Sequence, residues 1–247
     1  MDVSSYVLLS HEQALRRRLD IAANNMANAN TIGFKREQAL FHEYVEQTTG
    51  APLAEAKNTS FVLDYGAIHD TSQGAFQSTG NPLDVMIDGP GYLAVEMGDG
   101  STAYTRAGFI KVLENGELGT SGGQRILGEG GAPIVIPQDQ RAGLSVAPDG
   151  TIAGPQGPLG RIALTRFANE ASVVQRGDGF VMGQEPAEMA AAETRLKSGG
   201  VEGSNVQPIV ETTRMVQILR SYESSVKMAD QIAQMRQKAI ERLGRTN

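Results

Sequence analysis

Three histidines, His11, His42 and His69, are the side chains of this sequence best suited to move a proton or hold a metal near neutral pH. None lies at ligand spacing from another or within a cluster of carboxylates, so structural or exposed roles are expected and a metal site is not. Gly89-Pro90-Gly91 resembles a fragment of a glycine-rich phosphate loop, but it lacks a third glycine and Pro90 removes a backbone donor. A turn between strands is the expectation there. Asp99, Asp149 and Asp178 each precede glycine, without the carboxylate spacing of a calcium loop, so turn chemistry accounts for them. Ser121 and Ser145 have no nucleophile elbow around them. Asn58-Thr59-Ser60 fits a glycosylation sequon as readily by chance as by design. A glycan-cleaving enzyme would need paired carboxylates, such as Asp84 with Asp88 or Glu114 with Glu117, and nothing singles these out. No catalytic, cofactor or metal residue is therefore assigned, and the sequence does not read as an enzyme.

Composition narrows the classes further. The 247 residues are 40% hydrophobic and 20% charged, ordinary globular material long enough to bury a core. A net charge of −6 offers no basic field for nucleic acid. The absence of cysteine excludes disulfides, thiolate metal sites and Cys nucleophiles. The first 20 residues carry His11, Glu12, Arg16, Arg17, Arg18 and Asp20, which leaves no apolar core for a secretory signal. No stretch approaches the roughly 20 apolar residues of a transmembrane helix. Taken alone, this reads as cytoplasmic. Most of the 29 glycines fall between residues 66 and 203, which predicts a turn-rich, β-rich middle.

The elements that flank this middle are helices. From Val3 to about Ala29, Leu8, Leu15, Leu19, Ala22, Met26 and Ala29 follow a three-four rhythm, with Glu12 as a polar intrusion. Such a narrow apolar stripe packs on another helix. The run Arg16-Arg17-Arg18 reads first as a solvated face and second as a contact for a neighbouring subunit's acidic surface. At the other end, Thr212, Met215, Leu219, Tyr222, Val226, Ala229, Ala233, Arg236, Ile240 and Leu243 alternate steps of three and four. Pro208 suits the start of this helix and Gly244 its end. At ~1.5 Å per residue it is a rod of roughly 50 Å, longer than the first helix can cover. Uncovered stripe implies other chains.

Between the first helix and the middle, Ala22 to Glu37 crowds Asn24, Asn25, Asn28 and Asn30 into the last turns, and Gly33 follows. Asparagine caps and turns helices better than it extends them, and glycine admits φ > 0. This predicts a specified break with fixed geometry. The stretch from 38 to 80, with Gly50, Pro52, Gly66 and Gly74 around runs such as Phe61 to Tyr65, reads as an extended arm or hairpin. Strands are expected at Val85–Ile87, Tyr92–Val95, Ala103–Thr105, Arg125–Leu127, Ile134–Ile136, Arg161–Phe167 and Phe180–Met182. Asn115-Gly116 and Asp149-Gly150 mark hairpins. Residues 187–195 have helical composition but sit among strands. The expected fold is α+β, with the terminal helices (1–30 and 206–247) pairing as a coiled coil, an arm at 31–80 and a β-rich outer domain at 81–205.

Several motifs resemble, in order, those of flagellar rod and hook axial proteins. They are Asn24-Asn25-Met26-Ala27-Asn28 with Thr31 and Gly33-Phe34-Lys35, then Thr79 to Val85, Ile87 to Tyr92 and Tyr104 to Phe109. Ile126-Leu127-Gly128 through Ile136-Pro137 follows, and then Gly203-Ser204-Asn205-Val206, Pro208, Glu211 to Met215 and Tyr222-Glu223. Residues 144–200 match only weakly. The short length and the Met1-Asp2 start with Ser5-Tyr6 resemble the proximal-rod members most, with the distal-rod members next. The resemblance implies a coiled coil lining a tubular assembly, with Leu8, Leu15, Leu19, Ala22, Met26, Met215, Leu219, Tyr222, Val226, Ala229, Ile240 and Leu243 at its interfaces. It implies copies of the chain and other rod proteins as partners, and the flagellum's type III apparatus for export without a cleaved signal. The working location would then be the periplasmic span of the basal body, which reverses the cytoplasmic reading. Two rivals remain: a periplasmic carbohydrate-active protein, and a binding module whose helices close on themselves as a dimer.

Overall fold

The computed structural model describes residues 3–47, 58–170, 173–176 and 179–244. Gly50, Pro52, Asp178 and the Met1-Asp2 start lie outside the described residues. The chain divides into two compact units, one of residues 1–27, 37–68 and 207–247, the other of 28–36 and 69–206.

The first unit holds α1 (Val3–Ala27), α2 (Pro208–Gly244) and a two-stranded sheet of β1 (Glu37–Gln47) and β2 (Asn58–His69). Pro208 opens α2 and Gly244 closes it, as the sequence predicts. Helix α1 stops at Ala27 rather than near Ala29. Beyond it the Thr31 N–H and hydroxyl donate to the Asn28 carbonyl and side-chain oxygens, a turn that competes with further helix. The two helices pack through Leu15, Ala22 and Ile218, with Leu19 and Met215 partly covered beside them. Leu15 and Leu19 line a cavity with Ile218 and Leu219, while Leu8, Leu9 and Glu12 meet Ala229, Ile232 and Ala233. The helices are therefore antiparallel. With 25 residues against 37, α1 ends before α2 does, roughly 37 Å against 55 Å.

The second unit is a set of short strands: β3 (Phe76–Ser78), β4 (Val85–Ile87), β5 (Tyr92–Glu96), β6 (Thr102–Thr105), β7 (Ile110–Val112), β8 (Leu118–Thr120), β9 (Arg125–Ile126), β10 (Ser145–Val146) and β11 (Thr151–Gly154). They continue with β12 (Gly157–Arg161), β13 (Leu164–Phe167), β14 (Val174–Gln175), β15 (Val181–Met182), β16 (Pro186–Glu188), β17 (Leu196–Ser198) and β18 (Gly200–Glu202). The main sheet runs β14-β15-β6-β5-β9-β8-β7, with β13 bridging β5 and β16. Strands β10, β11 and β12 form a second sheet, while β17 joins β4 and β18 joins β3. All of these pairings are antiparallel. Strand β5 shows how both faces are used. Leu93 and Val95 enter one core with Val85, Ile87, Ile126 and Leu164, while Tyr92 and Ala94 join a second with Tyr104, Phe167 and Val181. Alternation along a strand requires that split.

Two strand expectations shift, and the stretch of helical composition resolves as strand and turn. Ile134–Ile136 makes only a bridge, between Val135 and Glu117, and lies on the loop after β9. The run Arg161–Phe167 breaks in two, because Arg161 ends β12 and Leu164 opens β13. Residues 187–195 form the end of β16 and a turn, and no helix. Met189 donates its N–H to the Leu164 carbonyl and is buried in the main core, so cross-strand pairing outweighs local propensity.

Candidate functional site

The chain leaves α1 through Gly33 to Arg36 and returns towards α2 through Glu202 to Val206, and these two passages meet in the second unit. Gly33 sits at φ +73°, and a Cβ there would lie 2.5 Å from the Arg106 carbonyl carbon, so only glycine fits. Its N–H donates to the Glu202 carbonyl at 2.8 Å. Glu202 is wholly buried. One carboxylate oxygen takes the Lys35 ammonium at 2.7 Å and the Gly74 N–H at 2.9 Å, and the other takes the Arg106 guanidinium at 3.0 Å. Lys35 also donates to the Ser72 carbonyl, and Arg106 to the Gly89 carbonyl. Arg106 lies 5.2 Å above the Tyr92 ring.

One carboxylate between two cations leaves the cluster with a net positive charge. Burial pushes the Lys35 ammonium below its ordinary value, Arg106 adds to that push, and Glu202 opposes it. Burial likewise raises the Tyr92 phenol. Asn205 completes the closure. Its carbonyl oxygen accepts the Arg36 N–H at 2.7 Å, and its amide donates to the Asp70 and Ser72 carbonyls. Five separate passages of chain, at 33–36, 70–74, 89, 106 and 202–205, are tied by these eight side-chain hydrogen bonds. This is a lock rather than a reaction centre.

In the first unit Asn25 makes the matching joint. It accepts the Glu37 N–H at 2.8 Å and donates to the Glu37 carbonyl at 2.9 Å, so its amide imitates a strand partner for the first residue of β1. Of the other motif residues, Phe34 and Glu211 are buried, Asn28 is half-buried, and Asn24, Thr31 and Pro208 are exposed. Glu211 accepts from Arg214 at 2.8 Å.

The interface residues expected from the sequence separate into two sets. Leu15 and Ala22 are buried and Leu8, Leu19, Met26, Met215, Val226 and Ala229 half-buried, whereas Leu219, Tyr222, Ile240 and Leu243 are exposed. Within one chain the seam on α2 passes through Glu211, Ile218 and Ser225, each one heptad apart. Hydrophobicity hides this row, because two of its three members are polar. Ile218 was detectable only as the apolar residue preceding Leu219. Glu202 carried no signal either, a lone acid in a glycine-rich run with partners 167 and 96 residues away.

The residues weighed for chemistry are occupied elsewhere. Asp84 is buried and accepts from Thr79 at 2.6 Å and Asn81 at 2.9 Å, while Asp88 is exposed. Glu117 faces Arg125. The Gly91 N–H donates to Glu170, so the donor that a phosphate would need is satisfied by the protein. Asp99 and Asp149 accept N–H bonds two residues on, as turn residues do. His69 is buried, His11 exposed, and the exposed His42 packs beside Tyr65, with ring centroids 4.6 Å apart and planes tilted by 59°. Among the described residues no three His, Cys, Asp or Glu could together hold a metal ion, and no helix is long and apolar enough to cross a membrane.

Family models match along the whole order of the chain. Residues 6–35 match the flagella basal body rod protein model, 86–154 the flagellar hook protein FlgE/F/G D1 domain, and 197–242 the flagellar basal body rod FlgEFG protein C-terminal model. The flagellar basal-body rod protein FlgF of Caulobacter vibrioides is 37% identical over 250 residues, covering 100% of both chains. That of Mesorhizobium japonicum is 35% identical with 99% of each covered. The rod protein FlgG of Bacillus subtilis is 33% identical over 94% of this chain and 96% of its own. Asn25 and Lys35 fall within the N-terminal match and Glu202 and Asn205 within the C-terminal one, and the chain belongs to the flagellar basal-body rod protein family, as a structural subunit of the rod.

Proposed function

We propose that this subunit builds the proximal segment of the rod, assembling through its terminal helices into a coiled-coil wall and transmitting torque across the periplasm. A rod-family chain works in the flagellar basal body beside other rod proteins. The observation that carries it is the uncovered stripe on α2. Ile240 and Leu243 are 71% and 75% exposed, beyond the reach of α1. A 37-residue helix with an apolar row and a 25-residue partner is incomplete until neighbouring subunits supply surface. Export through the flagellum's own type III apparatus belongs to the same reading, and the charged first helix suits that route.

Basal bodies isolated from a strain lacking this chain test the assignment. Membrane rings without a completed rod are expected. A rod stub already spanning the periplasm would move the subunit to the distal segment, and intact rotating flagella would overturn the reading.

A further inference from the structure

We propose that the outward face of the β1–β2 arm, carried by Leu63 and Tyr65, docks into the groove between α1 and α2 of a second copy of the chain. The inference rests on the rod reading and adds a specific contact to it.

The arm has two unlike faces. Asp64 approaches the chain's own α1 and pairs with Arg17 at 3.4 Å. Strand alternation then turns Leu63 and Tyr65 the other way. They are 49% and 71% exposed, with the His42 ring tilted beside Tyr65 at 4.6 Å between centroids. A two-stranded ribbon is marginal by itself, and one that presents a leucine and a tyrosine to water is stabilised by a partner surface.

The receptor is a cavity of about 210 Å³ between the helices, lined by Leu15, Leu19, Ile218, Leu219 and Tyr222 with Arg16 among them. Leu219 and Tyr222 are 43% and 36% exposed, so its apolar lining continues onto the open surface. Charge selects the occupant. Helices α1 and α2 together carry nine Lys and Arg against six Asp and Glu, whereas residues 37–68 carry five acids against one lysine. The arm is therefore acidic with an apolar outer face, and the groove is apolar in a basic setting. The Arg17–Asp64 pair shows the same attraction within one chain. The arm's inner face already meets its own helix, so its outer face is left for another molecule, and a rod built of repeated subunits supplies that molecule at fixed spacing.

The cysteine-free chain makes the test clean. Cells co-express two tagged forms, one with Tyr65→Cys and one with Leu219→Cys, and isolated basal bodies are oxidised mildly. A disulfide-linked heterodimer several-fold above the yield from Tyr65→Cys with Asp99→Cys is expected. Equal yields from assembled rods would overturn the docking and leave the rod reading intact. Absence of the tagged wild-type chain from basal bodies would overturn the rod reading itself. If the cysteine forms do not assemble, a photoreactive benzoyl-phenylalanine at position 65 preserves the aromatic shape. Its adducts should map to residues 15–22 or 215–222 of a second chain, and adducts confined to other segments would overturn the proposal.

Discussion

Glu202 is the residue on which the second unit's closure turns, because it is the one carboxylate paired with both buried cations, Lys35 and Arg106. Replacing it with glutamine leaves Lys35 and Arg106 buried without a counter-charge, which costs about 3–5 kcal/mol. Lys35→Met leaves the Arg106–Glu202 pair intact and neutral, so it should cost clearly less. Urea unfolding of the monomer measures both, and equal losses would contradict the charge balance described above. Asp70 gives a pH-dependent test. The Ser72 hydroxyl and N–H donate to its carboxylate, with Arg36 nearby, and hold it below its ordinary value of 3.8. A carboxylate lowered in the folded state adds stability that is fully present above the unfolded value and is lost as pH falls through the folded one. The stability difference between wild type and Asp70→Asn should therefore hold from pH 7 to about 5 and shrink below pH 4. A difference constant down to pH 2 would show that the carboxylate's charge is not its source.

Helix α2 presents two adjacent stripes, one buried against α1 and one exposed. Ile218 faces α1 and is buried, while its neighbour Leu219 is 43% exposed. An aspartate at 218 would place an unpaired charge against Leu15 and Ala22, at a cost of several kcal/mol, and should melt the helix pair in the free subunit. An aspartate at 219 should leave the subunit's circular dichroism unchanged and abolish motility. Loss of helix signal in both variants would mean that one stripe serves both purposes. Hydrophobicity along the sequence marks the row of Leu219 and Tyr222 rather than that of Ile218; a shift of one residue rotates the contact by about 100°.

For the whole molecule, each unit has a core of its own, and the exposed end of α2 lies outside both. The β unit has its own core from Val85 to Leu196, and the helix pair closes through Leu15, Ala22 and Ile218. Residues 237–244 of α2 follow Arg236, the furthest α2 residue that lines the groove with Leu8, Leu9 and Glu12. Deleting residues 237–247 should therefore change the melting temperature of the subunit by no more than about 2–4 °C, the effect of ~1 kcal/mol in a chain of this size. Rod formation should nonetheless fail in the cell. A large drop in melting temperature would place these residues in the subunit's own fold.

The elements were legible because local chemistry specifies them. The three-four rhythms, Pro208 and Gly244, the asparagine-rich helix end and the Asn-Gly and Asp-Gly turns each act over a few residues, and order along the chain then gives helix, β-rich middle and helix. The family was legible for the same reason, through motifs such as Asn24 to Lys35. The lock around Glu202, the choice of Ile218 over Leu219, and the diversion of residues 187–195 into strand and turn were not. Each is decided by partners many residues away, where burial and charge pairing outweigh local preference, and only the tertiary structure brings those partners within reach.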